Sequence, residues 1–340
     1  MTGHQISRRR AAEILGKAPA LTVVVTGDVC LDAYWRVDMR LSELSRETPH
    51  YMKPVVAETY SPGAGGNVAV SLKTLGAGAV RVATVLGSDW RGRLLLDILR
   101  GAGIDCSGTL LSEQWTTTAF IKPMLRGYEE RALQEDARLD FVNAREASEA
   151  LVDAWLASLQ NAVSGAHAVI VMDQVAPNLV TKNAANRLVE LSKRFPGTQF
   201  VADSRYKPEA FAGMLLKGND IEIVRAADTL GLKPADAVSA AAALNAKLAC
   251  PVVMTTGEKG AVVANDTAPP ETVPARPVSG EIDICGAGDA FTAAFVLALA
   301  ADASPAEAAA LGNASARFAV QQLGRTGNPA PDDLLAQIPG

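Results

Sequence analysis

The 340-residue chain is 49% hydrophobic and 20% charged with 28 glycines, a balance that excludes a disordered or fibrous polypeptide. A formal charge of −5 and 5% aromatic residues provide neither a cationic surface for polyphosphate nor a stacking platform for single strands, so no nucleic-acid partner is expected. Cys30, Cys106, Cys250 and Cys285 form no CxxC pair, which argues against zinc and a disulfide framework and for cytoplasmic thiols.

Residues 1–20 read as a helical N-terminal extension: Lys17 and Pro19 interrupt the apolar stretch after Arg8-Arg9-Arg10, and no clean cleavage pattern follows. "LTVVVTGD", Leu21 to Asp28, is a β-branched run closed by Gly and Asp, the pattern of a strand buried on both faces. Similar runs at Val80–Leu86, Ala168–Met172, Gln199–Ala202, Asp220–Val224 and Val252–Thr255 predict further strands, separated by helical stretches such as Trp90–Arg100 and Leu179–Phe195. This alternation predicts a three-layer α/β/α sandwich around a mainly parallel, doubly wound sheet, in a single domain over residues 1–340. Two excursions, about 33–60 and 109–125, are strand-like without partner helices and predict a small β-sheet lid. The apolar run Ala290–Ala301 is shorter than the roughly 20 residues a membrane span needs and reads as a buried helix, so no membrane partner is expected. Ser304-Pro305 and Glu307 have the pattern of an N-cap, an N1 proline and an N3 acid.

The chemistry concentrates in "DICGAGDAF", Asp283 to Phe291. Amides at a helix N-terminus have no intrahelical partner and attract anions, and Gly286 and Gly288 let an oxyanion approach. Asp289 in the first turn would stand beside that anion hole, placed to take a proton from a hydroxyl attacking phosphorus. A first-turn acid also serves the helix dipole alone, and the isolated motif does not separate the two uses. Neither Gly286-x-Gly288 nor Gly63-x-Gly65 continues into GxGxxG, and GxxxxGK[ST] is absent, which disfavours a nicotinamide enzyme and a Walker-type site. On the acceptor side, Asp28 and Asp32 follow the first strand, where open α/β sheets bind ligands and where carboxylates suit vicinal hydroxyls.

"DICGAGDAF" resembles the C-terminal D-x-x-G-A-G-D signature of the ribokinase-like (PfkB) carbohydrate kinases, and "PGAGGNVAV", Pro62 to Val70, resembles their N-terminal sugar-binding signature. The likeness runs from about Leu21 to Ile338. It implies an ATP- and Mg²⁺-dependent kinase with Asp289 as base and the amides of Gly286, Ala287 and Gly288 holding the γ-phosphoryl. Asp28, Asp32, Gly63, Gly65, Gly66 and Asn67 would hold the acceptor, with Asp173 near substrate and metal-nucleotide. Asn219 and Glu222 match the family's N-x-x-E and would position Mg²⁺, largely through water, while Thr255, Gly257 and Gly260 would meet the nucleotide's phosphates and ribose. Asn313 would face adenine, and Asp283 with the Gly324–Asn328 loop would ring a monovalent cation such as K⁺.

The chain departs from the pattern at Cys285, where relatives usually carry Thr, and at Lys217-Gly218, in place of Thr-Pro. "GDVCLDAYW" is most similar to the heptose-phosphate kinase branch, whose phosphorylated acceptor would want cations near the lid; Arg36, Arg46, Arg126, Arg131 and Arg138 are candidates. The expected partner is a small sugar or sugar phosphate, and unpaired lid edges suggest a homodimer through the lid. A nucleoside kinase on the same fold and a non-catalytic sugar-binding relative are the alternatives.

Overall fold

In the computed structural model, which describes residues 5–127, 133–265, 268–324 and 326–339, the strand Thr22–Gly27 buries Val23 and Val25 in one hydrophobic cluster and Val24 in another. A strand apolar on both faces needs a helical layer on each side, and that requirement organises the molecule.

In chain order the strands are β1 (Thr22–Gly27), β2 (Val29–Asp38), β3 (Val55–Ala64), β4 (Ala79–Ala83), β5 (Val85–Gly87), β6 (Leu110–Ser112), β7 (Ala119–Arg126), β8 (Leu133–Glu135), β9 (Leu139–Phe141), β10 (Ala168–Asp173), β11 (Gln199–Ser204), β12 (Leu215–Asn219), β13 (Val252–Thr255), β14 (Ala261–Asn265) and β15 (Ala268–Val273). The helices are α1 (Arg8–Leu15), α2 (Gly65–Thr74), α3 (Trp90–Gly101), α4 (Glu149–Val163), α5 (Lys182–Arg194), α6 (Asp220–Thr229), α7 (Ala237–Leu248), α8 (Ala287–Ala300), α9 (Pro305–Ala319) and α10 (Pro331–Ala336).

Eight strands form the main sheet in the order β15-β14-β13-β12-β11-β10-β1-β4. From β13 to β4 all neighbours are parallel, while β14 and β15 close the edge antiparallel. One face packs on α1, α2, α3, α8 and α9; the other packs on α4, α5, α6 and α7. Trp155 of α4 is fully buried in the second layer, and its indole N–H donates to Thr26 Oγ1 and to the Ala83 carbonyl, each at 3.0 Å. Helix α8 is buried nearly all round, as its apolar composition requires.

The smaller sheet runs β3-β2-β7-β8, with β9 also on β7. Thr117 and Asp89 join it to the main body: Thr117 donates its backbone N–H to Asp89 Oδ2 at 3.0 Å, and its Oγ1 accepts from the Gly87 amide at 2.8 Å.

Two expected elements differ. Residues 220–224 begin helix α6 instead of forming a strand, because Asn219 and Glu222 build a reciprocal cap; the strand lies just before, at β12. Within the excursion 109–125, β6 pairs parallel with β5 rather than joining the lid sheet, and the lid strand starts at Ala119, after the Trp115–Thr118 stretch. The N-terminal extension holds one helix, α1, capped by the Ser7 side chain. No helix among the described residues is long and apolar enough to cross a membrane.

Candidate active site

Two helix N-termini meet at the carboxyl edge of the main sheet. Helix α2 starts at Gly65, where a Cβ would stand 2.8 Å from the Asp28 carbonyl oxygen, so only glycine lets the chain turn this close to β1. Helix α8 starts after Gly286, whose φ of +77° favours glycine. Asn67 in the first turn of α2 donates from Nδ2 to Asp289 Oδ2 in the first turn of α8, over 2.9 Å. Gly288 is exposed at the tip. The Ala287 amide points to the Ile284 carbonyl at 3.3 Å, whereas the amides of Gly288 and Asp289 have no partner within the helix.

Burial pushes the Asp289 carboxyl up to about 6; the Asn67 hydrogen bond and Lys217 oppose this, while Asp203 and Asp32 add to it. A carboxylate held near 6 is a competent base at neutral pH. Lys217 lies under this tip: a Cβ on Gly288 would stand 3.7 Å from Lys217 Nζ. The ammonium is 7% exposed and donates to Asp203 Oδ2 at 2.8 Å. Burial works against its charge, but Asp203, Glu222 and Asp289 outweigh that and raise Lys217 above the ordinary lysine value. Thr292 Oγ1 lies 2.8 Å from both Asp203 Oδ2 and the Gly288 carbonyl, locking the pair to α8. Lys217 stood out in sequence only as a departure from the family pattern; its approach to Gly288 comes from the crossing of β12 and α8, which periodicity does not encode.

On the acceptor side, Asp32 of β2 reaches Gly63 of β3, where a Cβ would stand 2.5 Å from Asp32 Oδ2. Burial raises the Asp32 carboxyl, against the charges of Lys122 and Arg138. Lys122 donates to the Tyr34 hydroxyl at 3.2 Å and lies over its ring, and Arg138 pairs with Asp140 above Phe120. Lys122 was missing from the sequence candidates, although it shares the period-two face of Phe120 and registers with Tyr34. Arg36 and Arg46 are exposed, Arg126 is half-buried on the lid, and Arg131 lies outside the described residues. Cys285 abuts this face: burial raises its thiol, and the Lys122 charge opposes that.

Asp28 and Asp173 sit deeper than an acceptor-binding reading assumes. Asp28 Oδ2 accepts the backbone N–H groups of Gln174 and Val175 at 2.8 and 2.9 Å, and burial pushes the carboxyl up to about 7 against those bonds. Asp173 is fully buried, with its oxygens taken by Asn178, by Ser204 Oγ at 2.5 Å and by Lys207 Nζ at 2.7 Å. Gly66 packs against Pro62 in the turn into α2, where a Cβ would stand 2.7 Å from Pro62 Cβ.

On the nucleotide side, Asn219 Oδ1 accepts from the Glu222 amide at 2.9 Å and Glu222 Oε2 accepts from the Asn219 amide at 2.7 Å. That leaves Glu222 Oε1, 3.7 Å from Arg205 Nε, as the carboxylate oxygen outside the cap. One carboxylate oxygen beside a phosphate site fits Mg²⁺ that keeps most of its waters; among the described residues no cluster of three or more His, Cys, Asp or Glu could hold a metal directly. Thr255 ends β13, and the 257–260 turn closes through Thr256, whose amide donates to the Gly260 carbonyl at 2.8 Å. Asn313 is turned to the Val273 carbonyl at 2.9 Å, so its amide N–H group holds the end of β15. Both Asp283 oxygens accept amides, from Cys285 at 2.9 Å and Gly324 at 3.1 Å, tying the α8 loop to the 320–328 loop.

Residues 21–333 match the pfkB family carbohydrate kinase family. The chain belongs to the pfkB family of carbohydrate kinases. Among its relatives are the bifunctional protein HldE of Geobacter metallireducens, 26% identical over 98% of this chain and 66% of that protein, and the HldE of Desulfatibacillum aliphaticivorans, 30% identical over 93% and 63%. The chain thus spans about two thirds of the length of these curated relatives. Its ribokinase-like fold superposes on Arabidopsis thaliana ribokinase complexed with ribose and ATP, with a TM-score of 0.69 at 20% identity, covering 93% of this chain and 98% of that one. At the helix tip of this pfkB-family chain, Asp289 and Gly288 stand beside the buried cation Lys217.

Proposed function

We propose that this chain catalyses ATP-dependent phosphoryl transfer to a hydroxyl of a sugar or sugar phosphate, with a phosphorylated heptose as the preferred acceptor class. The observation that carries the reading is the meeting of a base, two amides without a partner within the helix and a buried ammonium at the tip of α8.

Asn67 fixes one oxygen of Asp289, leaving Oδ1 for the acceptor hydroxyl, since among the described residues no hydrogen bond reaches it. Asp289 takes the hydroxyl proton as the oxygen attacks the γ-phosphorus, and the bond to ADP breaks. The amides of Gly288 and Asp289 and the Lys217 ammonium face the charge on the transferring oxygens. Mg²⁺, held through water at Glu222 Oε1 when bound, would neutralise part of the phosphate charge. The lid strands β2 and β7 bring Asp32 and Lys122 over the acceptor and exclude water, which otherwise competes for the phosphoryl group. Lys122 and the HldE relatives support an acceptor that already carries a phosphate.

An ATP-consumption assay across free and phosphorylated heptoses, hexoses and pentoses, with nucleosides alongside, tests the reading. Turnover is expected with phosphorylated sugars, heptoses foremost. ATP consumption with no sugar at all, or a preference for nucleosides, would overturn it.

A further inference from the structure

The loop after β11, Ser204 to Lys207, is pinned from below while the Arg205 side chain is left unpinned. Asp173 holds it at three points: its carbonyl accepts the Arg205 amide at 2.9 Å, and its carboxylate takes the Ser204 hydroxyl at 2.5 Å and Lys207 Nζ at 2.7 Å. Ser204 Oγ in turn accepts the Lys207 amide at 3.1 Å. The Arg205 side chain is 54% exposed and makes one contact, Nε to Glu222 Oε1 at 3.7 Å, with no side-chain hydrogen bond to any described residue. A distance of 3.7 Å is an ion pair without a hydrogen bond, so all the N–H groups of the fork are open to a ligand.

The direction of that side chain is set by what surrounds it. Glu222 caps α6 at the end of β12, the neighbour of β11, and Lys217 of β12 lies under the α8 tip. The Arg205 charge is also felt at the buried Cys30 thiol, together with those of Asp28, Asp32 and Asp289. The guanidinium stands beside the α6 cap, at the end of β12 that carries Lys217. A planar fork with free N–H groups suits two oxygens of one phosphoryl group, which a point-charge ammonium such as Lys217 does not match.

We propose that Arg205 is a further catalytic residue, contacting the oxygens of the transferring γ-phosphoryl from beside the α6 cap. Asp173 is the positioning residue that holds its loop. The proposal rests on the kinase reading above and adds to it a specific phosphate contact from a loop outside the two signature motifs. On binding ATP, Arg205 leaves Glu222 Oε1 for the phosphate oxygens; ADP, which lacks that group, leaves the pair as it is.

Calorimetric titration of the full chain with ATP and with ADP, in magnesium chloride and without acceptor, tests this. In R205A the ATP affinity is expected to fall about tenfold, the worth of a charge-assisted contact, with ADP affinity unchanged. R205K, which keeps charge but not the fork, is expected to fall between, and both variants keep the parent's thermal midpoint because the side chain is half solvated. An ATP-to-ADP affinity ratio in R205A equal to the parent's would overturn the proposal while leaving the kinase reading intact. A parent chain that binds neither nucleotide would sink both.

Discussion

Asn67 Nδ2 lies 2.9 Å from Asp289 Oδ2, joining first turns of two helices that are 222 positions apart in sequence. One motif thereby orients the reactive group of the other. Replacing Asp289 with Asn keeps the shape and removes the proton acceptor, so kcat is expected to fall by about 10²-fold or more with sugar binding nearly intact. Steady-state kinetics beside direct acceptor binding would check it, and a D289N enzyme with near-parental kcat would remove Asp289 from the chemistry.

The pH dependence of both rate and stability follows from the same carboxyl. Burial lifts Asp289 from 3.8 to about 6, so the base is active only once deprotonated, and kcat/KM is expected to rise with pH through about 6. For stability the sign is opposite. A raised carboxyl favours the neutral folded form, a contribution complete below about 3.8 and lost as pH climbs through about 6. D289N should therefore be the more stable protein at pH 7, by at most about 3 kcal/mol before solvent screening reduces it, and no more stable at pH 3. Denaturant titrations of parent and variant at the two pH values measure this; equal stability at pH 7 would contradict it.

How much of this was visible in the sequence depends on the range of the interaction involved. The doubly buried runs around Val23–Val25 and Val169–Val171 give the main sheet directly, because period and composition are local. The start of α6 was misread because Asp220–Val224 has a strand's apolar content, while the reciprocal Asn219–Glu222 cap that decides the matter is a two-residue signal. Asp289 and Asn67 were legible as motif residues. Lys217, Lys122 and Arg205 were not, since each matters through a neighbour on another strand or helix, and pairing across elements has no local signature. Asp173 and Asn313 were legible as polar residues, but the partners the structure gives them, Ser204 and Lys207 for Asp173 and the Val273 carbonyl for Asn313, lie on other segments and have no local signature.

Lys217 separates structural from catalytic charge. In K217M the Asp203 carboxylate is left buried beside Thr292 without its cation, and a loss of about 3–5 kcal/mol is expected from breaking a buried pair. The double variant K217M/D203N removes both charges and should regain most of that stability. Its kcat should nonetheless stay about 10²-fold or more below the parent, the scale for losing one group that stabilises charge in the transition state. Recovery of kcat together with stability would make Lys217 a structural ion only.

The turn at Gly286 couples backbone conformation to the site more directly than any other glycine there. Its φ is +77°, and a Cβ would stand 3.1 Å from Asn67 Nδ2 and 3.2 Å from Thr326 Cγ2. An alanine costs about 1–2 kcal/mol for the left-handed backbone alone and also pushes the amide that orients Asp289. Gly165 provides the comparison, with φ of +70° and nothing within 4 Å of its Cβ position. G165A and G286A should thus lose comparable stability, while only G286A loses kcat, by about tenfold or more, because displacement of a positioned base by a fraction of an ångström is costly. Parallel thermal melts and kinetics of the two variants measure the difference, and a G286A enzyme that turns over like G165A would dissociate the turn from catalysis.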